Sequence, residues 1–507
     1  MQIENNKNEY GTQIKILTQI AESEFKLFKS QDGEPFVRLK VSEYSECISI
    51  DSAESRCVIN DLFFRKTNTL PDTKNVEKLI QHLSYKASKA NKENVFYRLA
   101  GLENKFFIDL GSNDFKYVEI DESGWSIKAN SHINFYRTKS MKSLPVPMRN
   151  GNIQDLKQFL NLDSENDFKL IVSYIIGSLS YGKEYPILIL QGPQGSAKST
   201  TSEVIKSLID PSLPSLRSFP RNEEDIFIAG RNSHLICYDN LSGINPKMSD
   251  SLCRISTGCG SGGRKLYTND QESVIEISRP IIINGIDDLT DRADLVDRAL
   301  VLFLPKISDN QRKLSTGLWA DFENLKPLLF GAILDGLSSS LANKSKINLP
   351  FKPRMADFCI NSCAGMLAFN YTVDDISSAF MQNKYDIAID TVEASAIGRA
   401  IRKLMQKQLV WIGTITSLRS ALKENLECDE QYGFTRSSSV FSRDLNRIIP
   451  SLKPEGIEVE KNRTSSKRGI TISKKISSLP LQMSSSNQKL FFNDDYDDIL
   501  QKAELNN

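Results

Sequence analysis

The chain has 507 residues, of which 40% are hydrophobic and 25% are charged, a balance typical of globular proteins that excludes disorder as the dominant state. No run approaches the roughly 18 apolar residues of a membrane span, and the N-terminus lacks the basic and apolar regions of a secretory signal. We therefore expect a cytoplasmic protein with no membrane partner. The eight cysteines are scattered and only three histidines occur, which argues against a zinc site and favours reduced thiols.

Residues 1–145 predict an α+β domain of unknown role. Four short runs have the alternation or clustering of strands, at residues 36–41, 94–99, 105–110 and 115–120, and residues 75–83 have a helical pattern. No carboxylate cluster of the kind that a polymerase or primase site needs is visible here. Two prolines and a glycine in residues 144–152 predict a linker, and a helical pattern follows over residues 153–180.

Residues 186–200 predict a phosphate-binding loop. The apolar run 186–191 has the character of a buried parallel strand, and a helical pattern begins just after the glycine-rich segment. Lys198 is expected on the β- and γ-phosphates of ATP and the Ser199 hydroxyl on Mg²⁺. The predicted nucleotide-binding residues are Gly192, Pro193, Gln194, Gly195, Ser196, Ala197, Lys198, Ser199 and Thr200.

One position departs from the usual P-loop pattern. Ala197 stands where the pattern has its second glycine. Since alanine is small, we expect an intact loop, on the condition that position 197 does not need a positive φ.

A second apolar run, 234–239, ends at Asp239 and is the candidate Walker B strand. Asp239 is expected to hold Mg²⁺ directly or through water; the alternative is an aspartate that caps a strand. The following residue, usually a glutamate that activates water, is Asn240, which cannot accept a proton. Either Asn240 only orients water, or another carboxylate is the base. Three carboxylates are alternatives for that base: Glu223, Glu224 and Asp225.

A third apolar run, 280–284, ends at Asn284, where oligomeric P-loop ATPases place a residue that senses the γ-phosphate. Residues 265–277 predict a β-hairpin before it, with a turn at Asn269 and Asp270. Beyond it lie Arg292 and Arg298. Each is a candidate for the arginine offered to a neighbouring subunit's phosphate, with surface pairing to nearby aspartates as the equal alternative.

Positive charge is concentrated near the C-terminus. Residues 399–475 contain sixteen lysines and arginines against eight acidic residues. Helical patterns at 394–410, 416–426 and 438–449 precede two β-like arms at 457–461 and 469–473, an order typical of a winged helix. The predicted DNA contacts are Arg443 and Arg447 on the third helix and Arg463, Lys467 and Arg468 on the wing; a winged helix that binds protein is the alternative.

The order of these parts resembles a known family. The segments Gly192–Thr200, Tyr238–Ser242, Arg279–Gly285 and Arg292–Leu295 resemble AAA+ ATPases of the pre-sensor-1 hairpin clade, related to superfamily 3 helicases. The nearest resemblance is to MCM-like helicases of bacterial mobile elements such as staphylococcal cassette chromosomes. It covers residues 150–475 and is poor before residue 145.

The resemblance implies a hexameric ring that threads DNA, single-stranded or forked. ATP and Mg²⁺ would bind between subunits, with Lys198, Ser199, Asp239 and Asn284 in cis and an arginine in trans. Arg354 would be the lid arginine. The hairpin tip is acidic, so Arg264 and Lys265 at its base are the better DNA candidates.

The predicted fold class is α/β: an AAA+ P-loop ATPase core with an α+β N-terminal domain and a C-terminal winged helix. The predicted domains are 1–145, an ATPase core at 150–345, a helical lid at 346–392, a winged helix at 393–475 and an acidic tail at 476–507. Residues 488–495 of the tail resemble a docking peptide for a sliding clamp, so a primase, polymerase or clamp is a possible replication partner; a disordered tail is the alternative.

Two functions remain open from the sequence. One is an ATP-dependent DNA helicase or translocase in replication of a mobile element or phage. The other is a nucleotide-switched AAA+ assembly or defence ATPase that does not unwind DNA, which would suit Asn240 and the acidic hairpin tip.

Overall fold

The computed structural model describes residues 2–41, 44–129, 133–182, 184–258, 261–264, 272–275, 277–286, 293–312, 314–424, 426, 437–463 and 468–475. The described residues form two compact units that divide between Glu393 and Ala394. No described helix combines the length and hydrophobicity of a membrane span.

The first unit begins with a small α+β layer built on one antiparallel sheet, in the order β1-β2-β3. Side chains of Asp72 and Ser52 accept hydrogen bonds from backbone N–H groups and start α3 and α2. The apolar faces of all three helices share one core with this sheet. The elements are α1 (Gln2–Glu24), β1 (Phe25–Lys29), β2 (Pro35–Val41), β3 (Tyr44–Ser49), α2 (Ala53–Thr67) and α3 (Thr73–Lys89).

A second antiparallel sheet follows, in the order β5-β6-β7-β8, while the short strands β4 and β9 pair with each other in parallel. The predicted run 94–99 is thus split between β4 and β5 by Arg98, which has φ +62°. These elements are β4 (Val95–Phe96), β5 (Leu99–Leu102), β6 (Lys105–Asp109), β7 (Tyr117–Asp121), β8 (Gly124–Lys128) and β9 (Asn134–Phe135).

A parallel four-stranded sheet forms the centre of the unit. The helical pattern predicted from residue 153 divides into a 3-10 helix, Ile153–Phe159, and an α-helix that starts at a capping box on Ser164. The elements are α4 (Glu165–Leu179), β10 (Ile187–Gln191), α5 (Lys198–Ile209), α6 (Glu223–Arg231), β11 (Ile236–Leu241), α7 (Pro246–Ser256), β12 (Ser261–Arg264), β13 (Glu272–Ile275), β14 (Ile281–Gly285), α8 (Ala293–Val296) and β15 (Ala299–Phe303).

A hairpin is present at the predicted place, and the described parts of its two arms are β12 and β13. β12 pairs with β13 in antiparallel register, Ser261 opposite Ile275 and Arg264 opposite Glu272. The described part of the first arm begins at Ser261, before the predicted start at 265, and includes Gly262 and Gly263. The predicted turn at Asn269 and Asp270 lies outside the described residues.

Three α-helices complete the first unit: α9 (Ser315–Asn343), α10 (Ala356–Met366) and α11 (Val373–Ala394). Asn383 of α11 covers the free edge of β15, because its side chain both donates to Val301 O (2.6 Å) and accepts from Val301 N (3.3 Å). This pairing satisfies backbone groups that an edge strand otherwise leaves open.

The boundary expected at residue 145 does not separate two cores. Residues of β5–β8 share one hydrophobic cluster with α4, β10 and α9, and Trp125 Nε1 donates to Asp335 Oδ1 at 2.8 Å. The expected linker is itself packed: a Cβ at Gly331 of α9 would lie 1.8 Å from Met148 O. Prolines break the helical and strand periods there, but the segment lies against α9.

The second unit combines three helices with a three-stranded antiparallel sheet in the order β16-β18-β17. The helix predicted at 394–410 ends at Lys407, and a strand that the sequence pattern missed, β16, follows it. The elements are α12 (Ala396–Lys407), β16 (Val410–Gly413), α13 (Ile415–Lys423), α14 (Ser438–Leu452), β17 (Ile457–Arg463) and β18 (Arg468–Lys474).

A buried ionic network fastens the second sheet of the N-terminal region to the end of α5. Arg98, fully buried, donates through Nε to Asp210 Oδ1 at 3.0 Å. Asp210 also accepts from Lys206 Nζ (2.9 Å) and from the backbone N–H of His234 (2.8 Å). These positive partners lower the pKa of Asp210 despite its burial. Removing one member of such a network typically costs about 3–5 kcal/mol.

His234 gives this network a measurable pH dependence. Burial, with a contribution from Arg279, lowers its pKa from 6.5 to about 4. Between these two pKa values the unfolded chain therefore binds a proton that the folded chain does not bind. The contribution of His234 to the free energy of unfolding is fully present above about pH 6.5 and falls by about 3 kcal/mol toward pH 4. We expect urea unfolding of His234→Gln, which retains a side-chain N–H for Ser178 O, to lose most of this dependence.

The matched control is His82→Gln, which removes an exposed histidine from α3. Its unfolding free energy should fall with the same slope as the parent chain between pH 6.5 and 4. An unchanged slope in His234→Gln would contradict the assignment.

Candidate functional site

The sheet order brings the predicted chemistry to one edge. β14 lies between β10 and β11, with Asn284 opposite Leu190 and Ile283 opposite Tyr238. All three strands are parallel, so the glycine loop (residues 192–197), which follows β10, lies at the same carboxyl edge as Asp239 and Asn284, which belong to the second halves of β11 and β14. Ligands of open parallel sheets bind at such an edge.

The glycine loop runs from the end of β10 into the first turn of α5. Gly192 has φ +148°, and a Cβ there would meet Leu304 O at 2.3 Å, so only glycine fits. Lys198 Nζ donates to the loop's own carbonyls, Gly192 O at 2.8 Å and Pro193 O at 2.9 Å. Burial lowers the pKa of Lys198, while Asp239 opposes that shift. Its ammonium group is thus held over the loop by neutral acceptors.

Ser199 and Asp239 lie in direct contact. The Ser199 hydroxyl donates to Asp239 Oδ1 at 2.7 Å. Two neighbouring ligands of an octahedral Mg²⁺ at about 2.1 Å from the ion lie about 3 Å apart. A hydroxyl and a carboxylate at this separation therefore fit a magnesium ion that keeps its other positions for water and phosphate oxygens. Among the described residues there is no cluster of three or more metal-binding side chains.

Asn284 connects Asn240, the residue after Asp239 on β11, to helix α5. Its buried side chain accepts from Asn240 N at 2.9 Å and donates to Ser202 Oγ of α5 at 3.0 Å. Because both hydrogen bonds run to neutral groups, Asn284 spans the gap between β11 and α5 without placing a charge there.

Asn240 is exposed and has φ +57°, which asparagine tolerates better than most residues. Of the three alternative bases, Glu223 is already engaged: it pairs with Lys247 at 3.0 Å and with Arg254, and accepts from Ser251 Oγ. The Ser251 hydrogen bond is the largest cause that lowers its pKa. Glu224 and Asp225 are exposed in the first turn of α6. Glu223 is thus the least suited to accept a proton.

The expectation that position 197 avoids a positive φ is wrong. Ala197 has φ +62° and ψ +28°, the left-handed conformation, immediately before α5. The pattern's usual glycine supplies this geometry without strain, whereas alanine adopts it at a cost of about 1 kcal/mol. The loop keeps its conformation, because the methyl group of alanine is the smallest side chain and the conformational cost is small.

A segment that the sequence did not single out supports the loop from outside. Leu304 N donates to Gln191 O (2.8 Å) and Ile307 N donates to Gly195 O (3.2 Å). Asn161 Nδ2 donates to both Ser196 O (3.1 Å) and Pro305 O (2.6 Å). No motif signals these contacts, since most of them use backbone groups.

Arg298 and Arg354 lie together, away from the glycine loop. Arg298 immediately precedes Ala299, which is opposite Ile187 at the first position of β10; the five residues of that strand span about 16 Å. Arg298 pairs with Asp294 at 2.5 Å, and Arg354 with Asp297 at 2.6 Å, where Lys384 also approaches at 3.5 Å. The buried Arg298 Nε has no hydrogen-bond partner. The structure therefore does not bring either arginine to the nucleotide edge of its own subunit.

The remaining predicted DNA residues are only partly described. Arg443 and Arg447 are exposed on α14, with Asp444 about equally distant from both, at 3.7 and 3.6 Å. Outside the described residues or side chains lie Arg264, Lys265, Arg292, Arg463, Lys467 and Arg468.

Two family models match the chain. Residues 153–381 match the model of an actinomycete integrative conjugative element replication protein, and residues 397–486 match the model of the AICE RepA C-terminal domain. The chain is similar to the replication protein of an integrative conjugative element. This supports the coarser part of the sequence expectation, a replication protein of a mobile element, and names actinomycete elements where the sequence suggested staphylococcal ones. The narrower resemblance to MCM-like helicases stays a prediction.

Solved structures of the NrS-1 C-terminal region are also similar to the chain. Two apo structures have sequence identities of 12% and 13% and TM-scores of 0.37 and 0.38, and each match covers 91% of this chain and 98% of the other. TM-scores this low do not establish a common fold. No curated protein matches the sequence.

Ala197 provides a direct test of the loop geometry. Replacement by glycine removes the left-handed strain but increases the flexibility of the unfolded chain. We expect Ala197→Gly to raise the free energy of unfolding by about 0.5 kcal/mol, measured by urea denaturation. Ala364→Gly, at a buried position inside α10, is the control and should lose stability. Destabilisation by Ala197→Gly would show that residue 197 does not have a positive φ.

Proposed function

We propose that the chain is an ATP-dependent DNA helicase or translocase of the AAA+ type, which acts as a hexameric ring in replication of a mobile element. The observation that carries this proposal is the meeting of the Ser199 hydroxyl and Asp239 at 2.7 Å beside the glycine loop. The family matches to a replication protein support the biological setting.

The loop and its neighbours are suited to hold a nucleoside triphosphate with Mg²⁺. Backbone N–H groups of the glycine loop and the N-terminus of α5 supply positive potential to phosphate oxygens. Lys198 would exchange its two carbonyl acceptors for phosphate oxygens, while Ser199 and Asp239 would hold the metal ion. Mg²⁺ supplies neutralisation of the charge that develops on the phosphates.

Asn284 is positioned to respond to the γ-phosphate. It already joins Asn240 to Ser202 across the edge of the sheet, so a change in its side-chain hydrogen bonds alters the spacing between β11 and α5. The carboxylate that accepts the proton from water is Glu224 or Asp225 in our proposal, since Glu223 is occupied by two cations.

The placement of Arg298 supports action in a neighbouring subunit. At the edge opposite its own glycine loop, Arg298 is too far away to reach a nucleotide bound by its own subunit. An arginine supplied in trans stabilises transition-state charge and makes hydrolysis depend on assembly. In a ring, each nucleotide lies between two subunits, so Arg298 of one subunit can act on the nucleotide that its neighbour binds.

The second unit is proposed to be a winged helix that binds DNA. Its order, α12-β16-α13-α14-β17-β18, ends in the hairpin whose arms were expected from the sequence, and Arg443 and Arg447 extend from α14 into solvent. Phosphate contacts of this kind position a protein without reading the base sequence.

One observation favours a second function, a nucleotide-switched assembly that does not unwind DNA. Asn240 occupies the place of the usual catalytic glutamate, and its backbone N–H is already bound by Asn284. Slow hydrolysis would suit a switch. ATP-dependent oligomerisation without DNA-stimulated turnover would favour this function.

The primary test uses Lys198→Ala. Loss of the ammonium group removes the cation from the β- and γ-phosphates, so we expect ATP turnover and unwinding of a forked DNA duplex to fall at least about 100-fold, with the circular dichroism spectrum unchanged. The matched control, Lys352→Ala, removes an exposed lysine. Turnover of Lys198→Ala at the parent rate would refute the assignment of the loop.

Mixing of two inactive variants tests the arginine in trans. The Lys198→Ala subunit retains Arg298, and the Arg298→Ala subunit retains the loop. An interface between the two variants is therefore intact where the Arg298→Ala subunit supplies the loop and the Lys198→Ala subunit supplies the arginine. We expect each variant alone to be inactive and an equimolar mixture to recover ATPase activity, because about a quarter of the interfaces carry both intact groups.

The same mixing experiment, with Arg292→Ala in place of Arg298→Ala, distinguishes between Arg292 and Arg298 as the arginine that acts in trans. Arg65→Ala, on α2, is the control that should be active alone. If the mixture with Arg298→Ala stays inactive while the mixture with Arg292→Ala recovers activity, Arg292 rather than Arg298 acts in trans.

A further inference from the structure

Helix α3 carries an exposed stripe that the proposed function does not use. At 100° per residue, positions 74, 78, 81, 82, 85 and 89 fall within about 100° of one another around the helix axis. The opposite face is buried through Val76, Leu79, Ile80 and Leu83. We call the following residues the basic stripe: Lys74, Lys78, Gln81, His82, Tyr85 and Lys89.

The charge of the basic stripe has one sign. None of its six residues is acidic, although the whole chain has nearly equal numbers of acidic and basic residues. Among the described residues, none of Lys74, Lys78 and Lys89 has a carboxylate partner. Glu77 on the flank is paired with Arg56 at 2.8 Å. The three lysine charges are therefore available over about 22 Å of helix.

Tyr85 adds an exposed aromatic ring to these charges. Its exposed fraction is 64%, so the ring is not part of a hydrophobic core. Lys89 Nζ lies 6.0 Å from the ring centroid, so the ammonium group and the ring occupy the same part of the surface. A cation beside an exposed ring fits a phosphate next to an unstacked base.

We propose that the basic stripe binds single-stranded DNA. This inference rests on the proposed function, because it gives the translocated strand a contact outside the parallel sheet and the second unit. Single strands fit better than duplex DNA, because a base must be unstacked before it can lie on Tyr85. The site lies in residues 1–152, which neither family model covers, and it gives a role to a region for which the sequence motifs provided none.

The test measures binding of a fluorescein-labelled oligo-dT to the full chain by anisotropy, without nucleotide and over a range of salt concentrations. The variant Lys74→Gln/Lys78→Gln/Lys89→Gln should reduce the salt slope by about 2, since each lysine contributes about 0.7 on a single strand. Tyr85→Ala should weaken binding about 5- to 150-fold, and Tyr85→Phe, which keeps the ring, should restore it.

The charge-matched control is Lys66→Gln/Lys346→Gln/Lys352→Gln, which removes three exposed lysines elsewhere. An equal effect of this control, or equal losses on duplex DNA, would overturn the assignment to single strands. Unchanged affinity of the stripe variant, with wild-type protein that binds oligo-dT and hydrolyses ATP, would overturn the inference and leave the proposed function standing. Absence of both binding and DNA-stimulated hydrolysis in the wild type would overturn both.

Discussion

The insertion of β14 between β10 and β11 is the constraint on which the site depends. Backbone hydrogen bonds on both sides of β14 fix its register, Ile281 opposite both Ile187 and Ile236. That register determines where the strands end, and the ends determine which polar side chains meet. Lys198, Ser199, Asp239 and Asn284 come from three separate segments of the chain, and no local interaction would bring these segments together. The register of the apolar strands thus fixes the positions of the polar side chains in the site.

Much of this arrangement could be predicted because the relevant signals are local. Buried parallel strands appear as uninterrupted apolar runs, so the runs containing β10, β11 and β14 were located from the sequence, and the residue that ends each run was identified with it. Positions that depend on long-range packing were not accessible. The contact between Gly331 and Met148, the support of the glycine loop by residues 304–307, and the short strand β16 involve backbone groups that meet across large sequence separations.

Ala197 shows a different limit of sequence reasoning. The pattern predicted a loop and the structure has one, but the inferred condition on φ was wrong. A consensus residue reports the least strained solution, and a protein can adopt the same backbone with a residue that carries strain. Strain of this size is small beside the packing of β10 and α5, since most residues of both elements are buried. A departure from a motif therefore changes the local conformational energy more than it changes the fold.

The buried Arg98–Asp210 pair has a consequence for motion. Helix α5 is a short rod of 12 residues, with Lys198 at its first position and an ionic anchor at Asp210, just beyond its last. Fully buried charges cannot slide past one another without losing their partners, so the rod can pivot about its anchored end but cannot retract along its axis. Any displacement of Ser199 would therefore reach the antiparallel sheet β5–β8 as a tilt of α5 about this anchor.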